Sequence, residues 1–502
     1  MPDNDKRIST GLPGLDQILD GGLPANRMYL VQGQPGTGKT TLALQFLLAG
    51  AAQGERCLYI TFSETKEELY AVAESHGWSL SKVELLELSA IEEQLTPDAQ
   101  NTVFHPSEVE MNQTTKLLLD YVDRTKPHRI AFDSVSEMRM LADTPLRYRR
   151  QMLALKQYFS RKNCTVLMLD DLTSAPQDLQ VQSIVHGVLN LQKIHPEFGD
   201  DRRRLNIVKV RGVNFFGGFH DYVIERGGLK VFPRIGRTEG EISYPTDLAS
   251  SGLTELDKLV GGGLDRGTSN LILGPAGTGK STFTLQYAFA AAERGEHVAI
   301  YLFEESVKTL LSRTAAVGID IPKHLKTGLL TIQKIDPAEL SPGEFADLIR
   351  ETVQKNNTRM VVIDSLNGYL HAMPQEEFLT LQLHELFTFL GYHGVVTVLV
   401  LAQQGLMGNV MSTPIDLTYL ADTVMITRFF EAAGSVKKAI SVIKKRGGFH
   451  ESTIREFSVS SSGIFVGQPL NQFQGVLSGL PTLRENKEPL REESSGPARG
   501  KN

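Results

Sequence analysis

The chain has 502 residues, a formal net charge of −6, 41% hydrophobic and 22% charged residues, and two cysteines. That length calls for two or more globular domains, and the acidic balance argues against nucleic acid as the main partner. No apolar run reaches the ~18 residues that span a bilayer, and Cys57 and Cys164 offer neither a disulfide framework nor a metal-binding spacing. The polar start, Met1–Arg7, lacks the apolar core of a signal peptide, so the chain reads as cytoplasmic with no membrane partner.

From the N-terminus, Gly11-Leu12-Pro13-Gly14-Leu15-Asp16 and Gly21–Pro24 lead into an apolar strand over 27–32. The pattern G-x-x-x-x-G-K-[ST] follows at Gly33–Thr40 and opens a helix over 39–50. A strand over 56–62 runs into Ser63-Glu64. A helix at 112–124, a strand at 129–133 ending on Asp133, a helix at 147–161 and a strand at 165–169 continue the alternation. Ile207–Arg211 and Tyr222–Glu225 read as hairpin strands at a sheet edge. Strands alternating with helices predict an α/β fold, a mostly parallel sheet with helices on both faces.

The polar stretch after residue 233 reads as a linker, and beyond it the sequence repeats. One constant offset carries Gly11 to Gly252, Gly21 to Gly262, Gly33–Thr41 to Gly274–Thr282, and Ile60–Thr65 to Tyr301–Ser306. The register then slips while the order survives: Arg129–Ser134 matches Met360–Ser365, and Ile207–Gly212 matches Val442–Gly447. The boundaries expected from this duplication are a first domain over 1–235, a linker over 236–250, a second domain over 251–467 and a tail over 468–502. The end of the tail is charged and rich in Ser, Gly and Pro, a composition of disorder.

Both loops have the composition that cradles nucleotide phosphates. Glycines permit the backbone turns that aim N–H groups at one anion, and the following helix adds its positive end. The candidate nucleotide-binding residues are Gly33, Gly36, Thr37, Gly38, Lys39, Thr40 and Thr41, and then Gly274, Gly277, Thr278, Gly279, Lys280, Ser281 and Thr282. Lys39 and Lys280 suit the β- and γ-phosphates of ATP, and Thr40 and Ser281 suit Mg²⁺. Asp133 and Asp364, each at a strand end before a serine, fit the metal-holding carboxylate; alone, such an Asp would read as a helix cap. Glu64 in the first half and Glu304 and Glu305 in the second are candidates to orient or deprotonate the attacking group, against the reading of solvated loop acids. Ser63 stands where the second half has Glu304, so the two sites are expected to turn over differently. Lys209 and Arg211 recur as Lys444 and Arg446; two positions apart on a strand, each pair would share one face. They are either a solvated face or a finger pair for a neighbouring subunit's γ-phosphate.

Together, the GLDxxLxGGL lead-ins, GxPGTGKTT with GPAGTGKST, Phe303–Ser306, Val361–Ser365 and KxRG in both halves resemble the KaiC family, ATPases and autokinases of the RecA/RadA superfamily. The resemblance covers about Ile8 to Leu480. It implies tandem RecA-like P-loop domains, a two-tiered homo-hexamer with ATP at the subunit interfaces, hydrolysis in the first ring and autophosphorylation in the second. It also implies a KaiB-like partner for the first ring. Aligned on Asp422-Thr423, the family's phosphorylated Ser-Thr pair falls on Thr418 and Tyr419, so this chain departs from the family at the second position; Thr418 is the expected acceptor and Glu304 the expected base. The tail beyond Gln472–Leu480 differs from the clock version. A nucleic-acid-dependent ATPase of the RecA/RadA type is the alternative, but there is no CxxC and the stretch after Leu401, AQQGLMGNVMSTP, has no Lys or Arg. A scaffold that binds nucleotide without chemistry is the other; the intact Lys, Asp and Glu sets argue against it.

Overall fold

The computed structural model describes residues 6–88, 106–142, 144–172, 180–196, 199–236, 244–371, 378–403, 417–477 and 482–483. The centre of the expected linker and the end of the tail lie outside them. The chain divides into two compact units, Met1–Gly236 with Ala338–Leu348 and Arg237–Pro337 with Ile349–Asn502. No helix among the described residues is long and apolar enough to cross a membrane.

Each unit is built on a nine-stranded sheet. In the first, the strands are β1 (Met28–Gly33), β2 (Cys57–Thr61), β3 (Val83–Glu87), β4 (Arg129–Asp133), β5 (Thr165–Asp171), β6 (Gly187–Ile194), β7 (Arg202–Val210), β8 (Phe219–Glu225) and β9 (Gly228–Phe232). Their order across the sheet is β3-β2-β4-β5-β1-β6-β7-β8-β9. The pairings from β3 to β6 are parallel, and those from β6 to β9 antiparallel. The second unit has β10 (Ser269–Gly274), β11 (Val298–Leu302), β12 (Leu330–Lys334), β13 (Met360–Asp364), β14 (Val396–Ala402), β15 (Thr423–Ala432), β16 (Ser435–Lys445), β17 (Arg455–Ser460) and β18 (Gly463–Pro469). Their order is β12-β11-β13-β14-β10-β15-β16-β17-β18. It is the first order shifted by one set of strands, so the duplication read in the motifs extends to the whole topology: two tandem RecA-like P-loop folds.

The first sheet is buried on both faces, and its side chains divide by strand parity. Tyr29, Val31, Tyr59, Ala131 and Leu167 join the core that holds the helix Lys39–Ala52. Met28, Leu30, Leu58, Ile130, Phe132 and Val166 join the core under the helix Pro145–Ser160. Near-continuous apolar runs such as Met28–Val31 follow from this double burial.

Three first-half strands go beyond the sequence expectation: β3, β6 and β9. Val83-Glu84-Leu85-Leu86-Glu87 is short and carries two acids in five residues. β6 begins on Gly187, where a Cβ would lie 2.7 Å from the Tyr29 ring. The expected sharing of one strand face by Lys209 and Arg211 is corrected, since β7 ends at Val210 and Arg211 follows it. Likewise β16 ends at Lys445, before Arg446. Both strands carry a bulge just upstream. Val188 pairs with Lys209 and Leu189 with Ile207, leaving Val208 unpaired; Val424 pairs with Lys444 and Met425 with Val442, leaving Ile443 unpaired.

The aspartate of each lead-in motif is structural. Asp16 Oδ1 accepts from Thr10 N at 2.8 Å and Thr10 Oγ1 at 2.7 Å, and its Oδ2 from Ser9 Oγ at 2.6 Å. Asp257 repeats this with Ser251 N at 2.8 Å and Ser250 Oγ at 2.5 Å. Removing such a carboxylate strands its donors. Asp16→Ala is therefore expected to destabilise the first unit by roughly 1–3 kcal/mol. Trp78, the one tryptophan, packs against the first-unit core, so its fluorescence in a urea titration reads this change. Asp257→Ala should leave the Trp78 midpoint in place; an unshifted midpoint in Asp16→Ala would show that the carboxylate contributes nothing.

Candidate phosphate-binding sites

In the first unit the loop Gly33–Thr40 joins β1 to its helix, with Gly36 and Gly38 at φ of 77° and 89°, a region open to glycine. β8 underlies the loop. Tyr222 donates its hydroxyl to Thr37 O at 2.6 Å, and a Cβ on Gly38 would lie 2.7 Å from Ile224 Cδ1. Lys39 is buried; its ammonium donates to Gly33 O at 3.0 Å and Gln34 O at 3.1 Å and pairs with Asp171 Oδ1 at 2.6 Å. Asp171 lies across from Gly33 in the β1–β5 register.

Asp133 is delivered to the same edge because Thr61 pairs with it across β2 and β4. Its Oδ2 accepts from Tyr59 OH at 2.5 Å and from Thr40 Oγ1 at 3.3 Å. Burial pushes its pKa up, while the Tyr59 hydrogen bond opposes the shift. Glu64 follows the end of β2, its amide held by Thr61 Oγ1 at 2.9 Å. Its Oε2 is buried with no hydrogen-bond partner among the described residues. Burial, reinforced by the Asp133 charge, raises the Glu64 carboxyl to about 7.

The second unit repeats the frame with different side chains. Gly277 and Gly279 have φ of 81° and 101°. Thr278 is braced by Thr427, Oγ1 to Oγ1 2.7 Å. Lys280 donates to Pro275 O at 2.8 Å. Ala402 stands across from Gly274, where the first unit has Asp171. Burial brings the Lys280 ammonium down to about 8, with the Asp364 and Glu304 charges opposing it. Asp364 is pushed up by burial, and its hydrogen bond with Ser281 opposes that. A cavity of about 600 Å³ opens here, lined by Lys280, Ser281, Glu304, Glu305, Arg313 and Asp364 among others. That volume lies within the range of small-molecule pockets.

The two glutamates differ. Ser365 donates its hydroxyl to Glu304 Oε1 at 2.9 Å. Glu305 is clamped by Arg313, with Nη2 to Oε2 2.7 Å and Nε to Oε1 3.2 Å. Arg313 Nη1 also donates to Thr282 Oγ1 at 3.3 Å.

The Lys-Arg pairs stand apart from the loops of their own unit. Lys209 pairs with Val188, away from Leu191, the β6 residue beside Gly33. In the second unit the strand advances roughly 20 Å from Lys438, at the cavity, to Lys444. Arg211 Nη2 donates to Ser183 O at 2.6 Å. Lys444 donates to Thr418 O at 2.9 Å and Ala421 O at 2.7 Å, and Arg446 to Tyr419 O at 2.7 Å and Asp422 Oδ1 at 3.2 Å. The second cation pair thus grips the backbone that carries Thr418 and the exposed Tyr419.

Sequence reasoning missed Tyr59, Asp171, Arg313 and Ser365. Tyr59 and Asp171 have Ile300 and Ala402 at their second-half positions, so the repeat gave them no signal. Ser365 was visible only as the residue after Asp364. No cluster of three or more His, Cys, Asp or Glu side chains that could hold a metal is present among the described residues. A Thr or Ser hydroxyl beside one carboxylate nevertheless suits a hard cation that takes its other ligands from phosphate and water. The glycine cradles fit a phosphate ligand beside it, and the orphaned Glu64 Oε2, an acceptor, fits a donor such as a water.

Comparison with known proteins agrees with this geometry. A family model described as "ATPase: KaiC" matches residues 8–235 and again 249–471, once per half. Circadian clock protein KaiC3 of Synechocystis sp. is 25% identical over 490 residues, 97% of this chain and 96% of the relative. Circadian clock oscillator protein KaiC of Parathermosynechococcus lividus is 27% identical over 486 residues, 94% of this chain and 87% of the relative. The KaiC of Synechococcus elongatus is 25% identical over 484 residues, 95% and 92% of the two chains. With both halves matched in full, in the order set by the duplicated loops, the chain belongs to the KaiC ATPase family.

Proposed function

We propose that this chain is a hexameric signalling ATPase whose first half hydrolyses ATP and whose second half phosphorylates Thr418. The domains of this reading are 1–235 and 251–467, and a KaiB-like partner for the first ring belongs to it. The observation that carries it is the division of labour in the second cavity: both glutamates line it, but among the described residues Glu304 accepts from the Ser365 hydroxyl alone, while Glu305 is clamped by Arg313.

Gly33–Thr41 and Gly274–Thr282 would hold the ATP phosphates on backbone N–H groups, with Lys39 and Lys280 at the β- and γ-phosphates. When bound, Mg²⁺ neutralises phosphate charge, and Thr40 with Asp133 and Ser281 with Asp364 are the residues that would hold it. In the first half, Glu64 accepts a proton from water as the water oxygen bonds to the γ-phosphorus; the bond to the bridging oxygen breaks and ADP leaves. In the second half, the Thr418 hydroxyl of a neighbouring copy takes the place of water and Glu304 takes its proton. Little covalent work falls to the protein, so positioning and charge dominate. Lys209 with Arg211, and Lys444 with Arg446, stand too far along their strands to serve their own loops. That distance supports a role at the γ-phosphate of the adjacent copy, and with it a closed ring.

Three outcomes test this reading. Light scattering should give hexamers with Mg-ATP and smaller species after Lys39→Ala; a monomer under every nucleotide condition would sink the ring. Glu64→Gln, in a chain whose second site is disabled by Lys280→Ala, should cut phosphate release by ~10²-fold or more, and unchanged release would remove Glu64 from the chemistry. Peptide mass spectrometry after incubation with Mg-ATP should place phosphate on Thr418, lost in Thr418→Ala and sharply slowed in Glu304→Gln. Phosphate on Tyr419 alone, or on neither residue, would leave an ATPase without the autokinase.

A further inference from the structure

The second site holds two adjacent carboxylates, and their sequence does not say which one works. Glu304 and Glu305 are neighbours at the end of β11, and both line the cavity of about 600 Å³. Their difference comes from a residue two helical turns away. The helix Val307–Ala316 starts after Ser306, whose hydroxyl caps it by accepting from Thr309 N at 3.1 Å. Side chains on a helix lean toward its N-terminus. Arg313, in the second turn, therefore reaches back over the helix start and meets Glu305 with two donors, at 2.7 and 3.2 Å. A third donor reaches Thr282 on the phosphate-loop helix at 3.3 Å, so the guanidinium is fixed at both ends. A carboxylate held by a guanidinium fork has an acceptor site on each oxygen occupied and its orientation fixed.

The first unit supplies the contrast. By the repeat's constant offset, Glu64 is the counterpart of Glu305, Ser63 of Glu304, Thr41 of Thr282 and Val72 of Arg313. Val72 is packed against the core and offers no cation. Glu64 accordingly keeps Oε2 free of any hydrogen-bond partner among the described residues. Each unit thus presents one unclamped glutamate, but at different positions of the pair.

We propose that Arg313 is a positioning residue that selects the working glutamate of the second site: it withholds Glu305 and leaves the chemistry to Glu304. The inference rests on the assignment of Glu304 above and adds a cause for it. Its consequence is latent redundancy. Glu305, once released, occupies the position that Glu64 uses in the first unit, and can accept the proton in place of Glu304.

The test is suppression in the full-length chain. The rate of Thr418 phosphorylation with Mg-ATP, which reads the second site alone, is measured by peptide mass spectrometry in a Glu64→Gln background. Glu304→Gln should lower it by ~10²-fold. Adding Arg313→Met, which keeps the length of the side chain and removes its donors, should restore about tenfold or more of that loss. Adding Glu305→Gln as well should abolish the recovery. A merely structural arginine would make the double variant worse than Glu304→Gln, and that result, or no recovery at all, overturns the proposal. Arg313→Ala is the second variant should the methionine pack badly, and the same reading applies to it. If Glu304→Gln alone leaves that rate unchanged, the assignment of Glu304 itself fails and the selection of Glu304 by Arg313 falls with it. The two failures are distinct.

Discussion

Everything at the two loops depends on a carboxylate that is nearly withdrawn from water. Asp133 and Asp364 are 7% and 9% exposed, and burial alone would favour their neutral forms. Each sits at the end of a parallel strand, where the sheet register brings it under the phosphate loop, and each is opposed in its drift toward neutrality by hydroxyl donors, Tyr59 and then Thr40 for Asp133 and Ser281 for Asp364. Glycines set the loop, the loop sets Thr40 and Ser281, and these set the aspartates. Disturbing any one of them changes the charge at the centre of the site, because the pKa of a buried acid follows its partners.

Around this shared frame the halves have diverged in how charge is distributed. The first gathers more negative charge about its lysine: Asp171 pairs with Lys39, and the Asp133 charge adds to burial in pushing the Glu64 carboxyl up. It adds Tyr59 as a donor to the aspartate. The second has Ile300 and Ala402 at those places, shows no ion pair at Lys280 among the described residues, and brings in the cation Arg313 instead. One topology therefore holds two electrostatic environments.

The parts legible in the sequence were those whose chemistry is local. The glycine spacing, the lysine and the hydroxyl of each loop lie within one turn, and a strand-terminal Asp needs only its own strand. The helix over 39–50 and the strand over 129–133 follow from continuous apolar runs and a sharp start signal. What stayed hidden depends on distance in sequence. Tyr59 reaches Asp133 through strand pairing, Asp171 meets Lys39 through register, and Arg313 meets Glu305 through the direction a helix gives its side chains. β6 was hidden for a different reason: its opening glycine, Gly187, reads as a break, and its need appears only once the Tyr29 ring is in place.

The paired bulges at Val208 and Ile443 carry a last consequence. A strand has a parity of two, so inserting one unpaired residue flips every later side chain to the other side of the sheet. Lys209 and Lys444 come immediately after the inserted residue. The direction in which each ribbon offers its cation is therefore written in a single count rather than in the hydrophobic alternation that holds the ribbon down. Shortening either strand by that one residue would leave the core pairing upstream intact and turn the cation to the opposite face, a change of address without a change of composition.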